Sequence, residues 1–473
     1  MSEGRHVLLI TVDQWPARLL GCAGHPVIQT PTLDELAAVG TRFTNVSSET
    51  PVCIPARRAL MTGTSASTHG LRWNEPTARM PPMATLAEVF RQGGYQTTAV
   101  GKLHVHPQRS RIGFDDVLLS EEGRTQWGVQ DDYETALADA GYPGQAFTHG
   151  MGNNQYVTRP WHLPEQLHPT AWATEQMCRQ IRRRDPTRPG LFYLSYSPPH
   201  PPLVPPAAYA DLYQHEDLDE PPYGEWLVAE QVPPMVLQRQ AAAPAASLRD
   251  RARRAFYALC THIDHQIRVV IGTLREEGIL DETVILFTSD HGDLLGDHGL
   301  WGKSMFYEGA ASIPMILVSA AADTRAGAGQ TDPRLCGLED VLPTLADLAG
   351  VDTPAGIGGI SMLSERRREY YWGWVGTGSG ESCMVRDERF KLLYYPAGNV
   401  VQLFDLSNDP QERQDLSHSA QHSDVRDGLT RYLIEVAPAE NPEWIVAGAL
   451  AGAAPRAAAP ARSRGLASQR GRH

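Results

Sequence analysis

Nothing in this sequence approaches the ~20 consecutive apolar residues that a bilayer-spanning helix requires, so no membrane partner is expected. It also lacks a charged stretch followed by an apolar one ahead of a first strand that starts at about His6. No secretory leader is therefore expected, and the reading is of a cytoplasmic chain. Cysteine is scarce and scattered: Cys22, Cys53, Cys178, Cys260, Cys336 and Cys383 show no CxxC spacing. That argues against a zinc ribbon or a disulfide framework and makes a reducing compartment the simpler setting. A basic balance is missing too. With 42 Lys plus Arg against 55 Asp plus Glu, the net charge of -13 argues against nucleic acid as a partner, although a locally cationic pocket remains open.

What is present is enough material for one large core and a smaller subdomain: 473 residues, 42% hydrophobic and 21% charged. Residues 6–13 (HVLLITVD) and 284–290 (VILFTSD) are continuous apolar runs that end in an acid, and 191–197 (LFYLSYS) is a third candidate strand. These read as strands buried on both faces. Helical patterns at 32–39, 85–92 and 253–277 alternate with them. The expectation is an α/β fold, a large mixed, mostly parallel sheet sandwiched by helices, over residues 1–365, with Asp13 and Asp290 at the carboxyl ends of strands where ligands bind. Residues 207–246, rich in Pro, Gln, Ala and acids, read as a lid excursion. Strand patterns at 369–374, 390–395 and 403–406, then a helix at 422–435, predict a smaller C-terminal antiparallel-sheet subdomain over 366–440. The Ala/Arg-rich tail, 441–473, is expected to be disordered.

The chemistry concentrates in short motifs. Cys53, Pro55 and Arg57 form a C-x-P-x-R pattern that runs on to Thr62-Gly63. Around it, in chain order, stand Asp13-Gln14, Gly101-Lys102-Leu103-His104, Pro199-His200-Pro201-Pro202, Asp290-His291 and Lys303, twelve residues beyond His291; the segment 404–412 (FDLSNDPQE) closes the series. Singly, each has an ordinary explanation: a buried cysteine before a helix, a cap after a strand, a solvated lysine. An extended backbone at 102–104 would put Lys102 and His104 on one face. Asp297 and His298 read as a structural turn pair, and Trp73, Trp161 and Trp301 as packing residues that could also stack on a ring.

In this order the motifs resemble the formylglycine-dependent sulfatases, arylsulfatase-like members of the alkaline phosphatase superfamily. The resemblance implies a hydrolase that splits a sulfate monoester into an alcohol and inorganic sulfate. It implies that Cys53 is converted to formylglycine by a formylglycine-generating enzyme, although Ala56 stands where the commonest motif has serine. It further implies one divalent metal next to Cys53, held by Asp13, Gln14, Asp290 and His291. Calcium is the first choice, with manganese or magnesium as alternatives. Gln14 often has an acid as its family counterpart, and the missing charge shifts preference toward manganese. In the implied mechanism a hydroxyl of hydrated formylglycine attacks sulfur, His200 protonates the departing alcohol, and the second hydroxyl gives its proton to His104 to expel sulfate. Lys102 and Lys303 neutralise sulfate oxygens and Arg57 orients the diol. The superfamily is compatible with a homo-oligomer. The alternatives are a phosphonate monoester hydrolase or phosphodiesterase of the same superfamily, which shares the Asp, Gln, Asp, His set but lacks the Lys102–His104 pair, and a catalytically silent anion-binding homologue.

Overall fold

The computed structural model describes residues 5–122, 130–228, 232–437 and 442–453. Strands β1 (His6–Asp13), β2 (Thr41–Ser47), β3 (Gln96–Gly101), β4 (Asp116–Leu119), β5 (Gly190–Pro199), β6 (Thr283–Ser289), β7 (Met315–Val318) and β8 (Gln330–Gly337) form one sheet in the order β4-β3-β5-β1-β6-β7-β2-β8. β7 runs antiparallel to β6 and β2, and the other pairs are parallel. The sheet is thus mixed and mostly parallel.

Side-chain alternation along β1 divides the core. Leu8, Ile10 and Val12 pack with residues of the helices Pro31–Val39, Pro169–Arg182 and Ala246–Glu276, while Val7 and Leu9 face the helices Cys53–Thr62, Leu86–Gln92 and Val341–Ala349. A strand whose two sides both meet apolar layers has no use for polar alternation, which is why β1, β5 and β6 read as unbroken hydrophobic runs.

Four further strands, β9 (Tyr371–Val375), β10 (Ser382–Arg386), β11 (Phe390–Tyr395) and β12 (Val400–Asp405), pair antiparallel in the order β12-β11-β10-β9. One face of this sheet packs on Met305, Phe306 and Tyr307, and the other carries Leu429 and Leu433 of the helix Ser423–Val436. β10 was not legible in the sequence. Its five residues are all buried, so it shows no polar alternation.

Two expectations need correction. Part of the tail taken as disordered is ordered: Ile445–Val446 and Ala449–Leu450 form a hairpin, β13 and β14. It is held by Trp444, which is 1% exposed and packs 5.3 Å from the ring of Tyr394 and 6.0 Å from that of Trp374. Residues 454–473 lie outside the described residues. The segment 207–246 contains two helices, Ala207–Leu212 and Pro234–Ala241, packed into the framework. Tyr213 Oη lies 2.6 Å from Thr261 Oγ1 on the long helix, and Gln240 donates to the His298 carbonyl at 2.6 Å.

The strand order assembles the polar residues. β3, β5, β1 and β6 are neighbours, so Lys102, His200, Asp13 and Asp290, each at or just past a strand's carboxyl end, arrive side by side. At Gly101 the chain turns with φ of +104°, and a Cβ there would sit 1.9 Å from the Ser195 carbonyl oxygen. Only glycine fits both demands. Gly101→Ala is therefore expected to cost at least about 2 kcal/mol of stability by urea denaturation. A loss below about 0.5 kcal/mol would show that β3 and β5 relax apart freely.

Candidate active site

Asp13 ends β1 and Asp290 follows β6, and the register Val12 with Ser289 places the two carboxylates together. Both are buried. Arg57, from the helix Cys53–Thr62, lies across them: Nε donates to Asp290 Oδ2 at 2.8 Å and Nη2 to Asp13 Oδ2 at 3.4 Å. Its Nη1 donates to the Lys102 carbonyl at 2.9 Å and to Ser195 Oγ at 2.8 Å. The guanidinium is thus committed to the carboxylates and the strand ends, a brace for the site. Lys102 Nζ, also buried, bonds Asp13 Oδ2 and Glu122 Oε1, the latter at 2.9 Å.

Cys53 opens its helix, after Val52 in extended conformation, so its Sγ sits at the positive end of the helix dipole. Around Sγ lie Lys303 Nζ at 2.9 Å, His291 Nε2 at 3.2 Å and Asp13 Oδ1 at 3.7 Å. His104 hydrogen-bonds the same sulfur. Burial pushes the thiol's pKa up, but the charges of Lys303, Lys102 and His291 outweigh it and hold the group well below the usual cysteine range. Asp13 shows the same contest: burial and Cys53 raise it, yet Lys102, His200 and Lys303 bring it down to about 2. Asp290 goes the other way, raised by burial and then by the charge of Asp13.

Lys102 and His104 both reach the cluster, though not by the extended backbone expected. His104 has φ of +57°, and the Leu103 and His104 amides both donate to Glu121 Oε1, at 2.8 and 2.9 Å, which curls the loop. His200 is held through Nδ1, which donates to the Pro201 carbonyl at 2.7 Å and lies 3.5 Å from Glu122 Oε1. Its Nε2 is buried and accepts or donates no hydrogen bond among the described residues. Gln14, at φ of +75°, accepts from Lys303 Nζ at 3.0 Å.

All ten residues singled out by sequence thus lie in one contiguous buried network. Three acids that sequence reasoning missed converge with them: Glu121, Glu122 and Asp293. Asp293 stands three residues past Asp290 in the same turn, a spacing that could have flagged it, whereas Tyr156, far from every motif, carries no signal. Asp297 is structural, paired with Arg18 at 2.9 Å, and His298 packs between Trp226 and Tyr307. Trp161 packs on His162 and His168, and Trp301 on Tyr156.

The donor set fits a divalent cation. Ligand atoms of Asp13, Cys53, Asp290 and His291 all lie within 4.8 Å of one another. His291 Nδ1 is 3.0 Å from the Gly292 carbonyl, which can only accept, so the ring proton sits there and the Nε2 lone pair faces the cluster. Carboxylate oxygens of Asp13 and Asp290 with the imidazole nitrogen of His291 are the donor types that a divalent cation takes.

The sequence profile described as Sulfatase matches residues 5–351. The chain belongs to the sulfatase family. A second profile, described as N-sulphoglucosamine sulphohydrolase, C-terminal, matches residues 296–439 of this sulfatase. An arylsulfatase of Clostridium perfringens is 33% identical over 91% of this chain and 94% of its own. A choline-sulfatase of Rhizobium meliloti is 28% identical over 89% and 84%. Among solved structures, the phosphonate monoester hydrolase of Agrobacterium radiobacter superposes with a TM-score of 0.76 at 23% identity, over 91% of this chain and 95% of that one. Family and relatives make the protein a sulfuric ester hydrolase, and no helix among the described residues is long and apolar enough to cross a membrane.

Because Arg57 is the bidentate partner of two buried acids, Arg57→Ala leaves them without their brace. The expected loss is about 3 to 5 kcal/mol in urea or thermal unfolding. A loss under about 1 kcal/mol would mean that Lys102 alone neutralises the pair.

Proposed function

We propose that this sulfatase works through a formylglycine made from Cys53 and one divalent cation held by Asp13, Gln14, Asp290, His291 and residue 53. The observation that carries the reading is the setting of Cys53: a fully buried sulfur at a helix head, with Lys303, His291 and His104 turned onto it. A structural cysteine needs no such company. As the hydrated aldehyde, residue 53 would supply an oxygen nucleophile for sulfur. The cation, calcium first, with manganese or magnesium as alternatives, would supply Lewis-acid stabilisation of that oxygen and of the sulfate.

The remaining work falls to side chains. Lys303 and Lys102 offer ammonium groups to sulfate oxygens in a site where water is excluded and each charge counts for more. His200, whose Nδ1–H is anchored on the Pro201 carbonyl and whose buried Nε2 is left without a protein partner among the described residues, would protonate the leaving oxygen through Nε2. His104, bonded to the side chain of residue 53, would take the proton that releases sulfate. Arg57, bonded to both, would fix the carboxylates of Asp13 and Asp290 relative to each other. Since Cys53 and Pro55 lie within a buried helix, a formylglycine-generating enzyme that reads an extended segment must act before this helix forms.

A second reading, phosphonate monoester hydrolysis, draws on the Asp, Gln, Asp, His donor set and on the fold neighbour that performs it. The Lys102–His104 pair favours the sulfate ester.

Two measurements test the proposal. Protein made alongside a formylglycine-generating enzyme should give a peptide of residues 43–57 with the mass of an aldehyde at position 53; Cys53→Ser and chelation should each abolish turnover of an aryl sulfate. A fully alkylatable Cys53 in active enzyme would remove the covalent scheme, and faster turnover of a phosphonate monoester would promote the second reading. His200→Ala should lower kcat by about 10² to 10⁴ for alkyl or poor phenol leaving groups and by less for acidic phenols. An equal loss across the series would remove His200 as proton donor.

A further inference from the structure

Position 14 presents a puzzle: a neutral amide among the ligands of a proposed cation. An amide is a ligand only through its oxygen, and a half-turn of the terminal group would present Nε2 instead. Its surroundings decide the matter. Gln14 Nε2 donates to Asp293 Oδ2 at 2.5 Å and to Tyr156 Oη at 2.9 Å, while Gln14 Oε1 accepts from Lys303 Nζ at 3.0 Å. The flipped amide would set its NH₂ against an ammonium and its carbonyl against a carboxylate.

Asp293 is itself fixed. Its Oδ1 accepts from the Leu295 amide at 2.9 Å and the Gly302 amide at 3.0 Å, and its Oδ2 accepts from the Tyr156 hydroxyl as well as from Gln14. The side chain is wholly buried and forms no salt bridge among the described residues. Buried carboxylates without a cationic partner are costly, and here four donated hydrogen bonds offset the burial. Tyr156 is locked in turn, its ring 4.9 Å from that of Trp301.

The geometry points to Asp293 and Tyr156 as positioning residues that hold Gln14 with its oxygen toward the cation and return, one hydrogen bond removed, the negative charge that a carboxylate at position 14 would have carried. A carboxylate accepting from the amide nitrogen polarises the amide and makes Oε1 a better donor to a hard cation, as a carboxylate behind a ligating histidine does for its ring. Tyr156, reaching in from a distant part of the chain, completes the second N–H acceptor that a carboxylate alone leaves unmet.

The positioning role rests on the divalent-cation reading, so its test measures cation binding rather than turnover. Mn²⁺ binding is followed by calorimetry and by the electron paramagnetic resonance signal of the free ion, in wild type, Asp293→Asn, Tyr156→Phe, Gln14→Ala and the two double variants on Gln14→Ala. Asp293→Asn should weaken Mn²⁺ binding by about 10- to 100-fold, and Tyr156→Phe by less. Neither should weaken it further once Gln14 is alanine, because both act through Gln14. Wild-type affinity in a folded Asp293→Asn protein, or equal losses with and without Gln14, would overturn the positioning role. Should Asp293→Asn fail to fold, Tyr156→Phe in the two backgrounds decides by the same criterion. Absence of binding to the wild-type protein would instead overturn the cation reading itself.

Discussion

Two carboxylates forced together at the end of adjacent parallel strands are the constraint on which this molecule turns. β1 and β6 stop in register, so Asp13 and Asp290 meet in a place that water does not reach. Nothing about a parallel sheet favours that arrangement, and like charges at close range in a poor dielectric repel strongly. The structure answers with cations from two directions, Arg57 from a helix and Lys102 from the end of β3. These positive groups neutralise the pair, and Lys303 adds a further ammonium beside Cys53.

The same logic reaches outward through ligands held by other ligands. Glu121 gathers the two amides that curl the chain at His104; Glu122 lies between Lys102 and His200; Asp293 and Tyr156 fix the amide of Gln14. Each is an acid or hydroxyl at the site whose partners come from elements remote in sequence. Such groups are costly when unmatched, so they tie loops from β3, the region of Tyr156 and the segment after β6 into one rigid frame. A site that must align a nucleophile, a departing oxygen and several charges gains from that rigidity, since the donors are already oriented when charge develops.

Several parts of this were legible in the sequence. Unbroken apolar runs ending in an acid marked β1 and β6, because strands buried on both faces in a parallel sheet leave no polar alternation and their carboxyl ends open on the ligand edge. The helices at 31–39, 86–92 and 246–276 showed through their periodicity. Motifs carried the cluster: Asp13, Gln14, Cys53, Arg57, Lys102, His104, His200, Asp290, His291 and Lys303 all lie in one buried network. The tail around Trp444 misled because composition described its neighbours, while a single tryptophan finding a slot beside Trp374 and Tyr394 ordered it. Residues 207–246 misled in a similar way, since their short helices are stabilised by contacts with the long helix and the 296–300 loop rather than by their own periodicity.

The sequence by itself determined the covalent and chemical inventory: which side chains can act as nucleophile, base, acid or ligand, and the alternation of strands and helices that brings strand ends to one edge. Tertiary structure alone decided what each of these does. It made Arg57 a brace for carboxylates, bent the chain at His104 out of the extended form, and enlisted Asp293 together with Glu122 and Tyr156, the last of which no motif announces. The reason is physical: strand and helix periodicity is local and repeats along the chain, whereas hydrogen-bond satisfaction and charge balance in a buried pocket are settled among residues far apart in the chain.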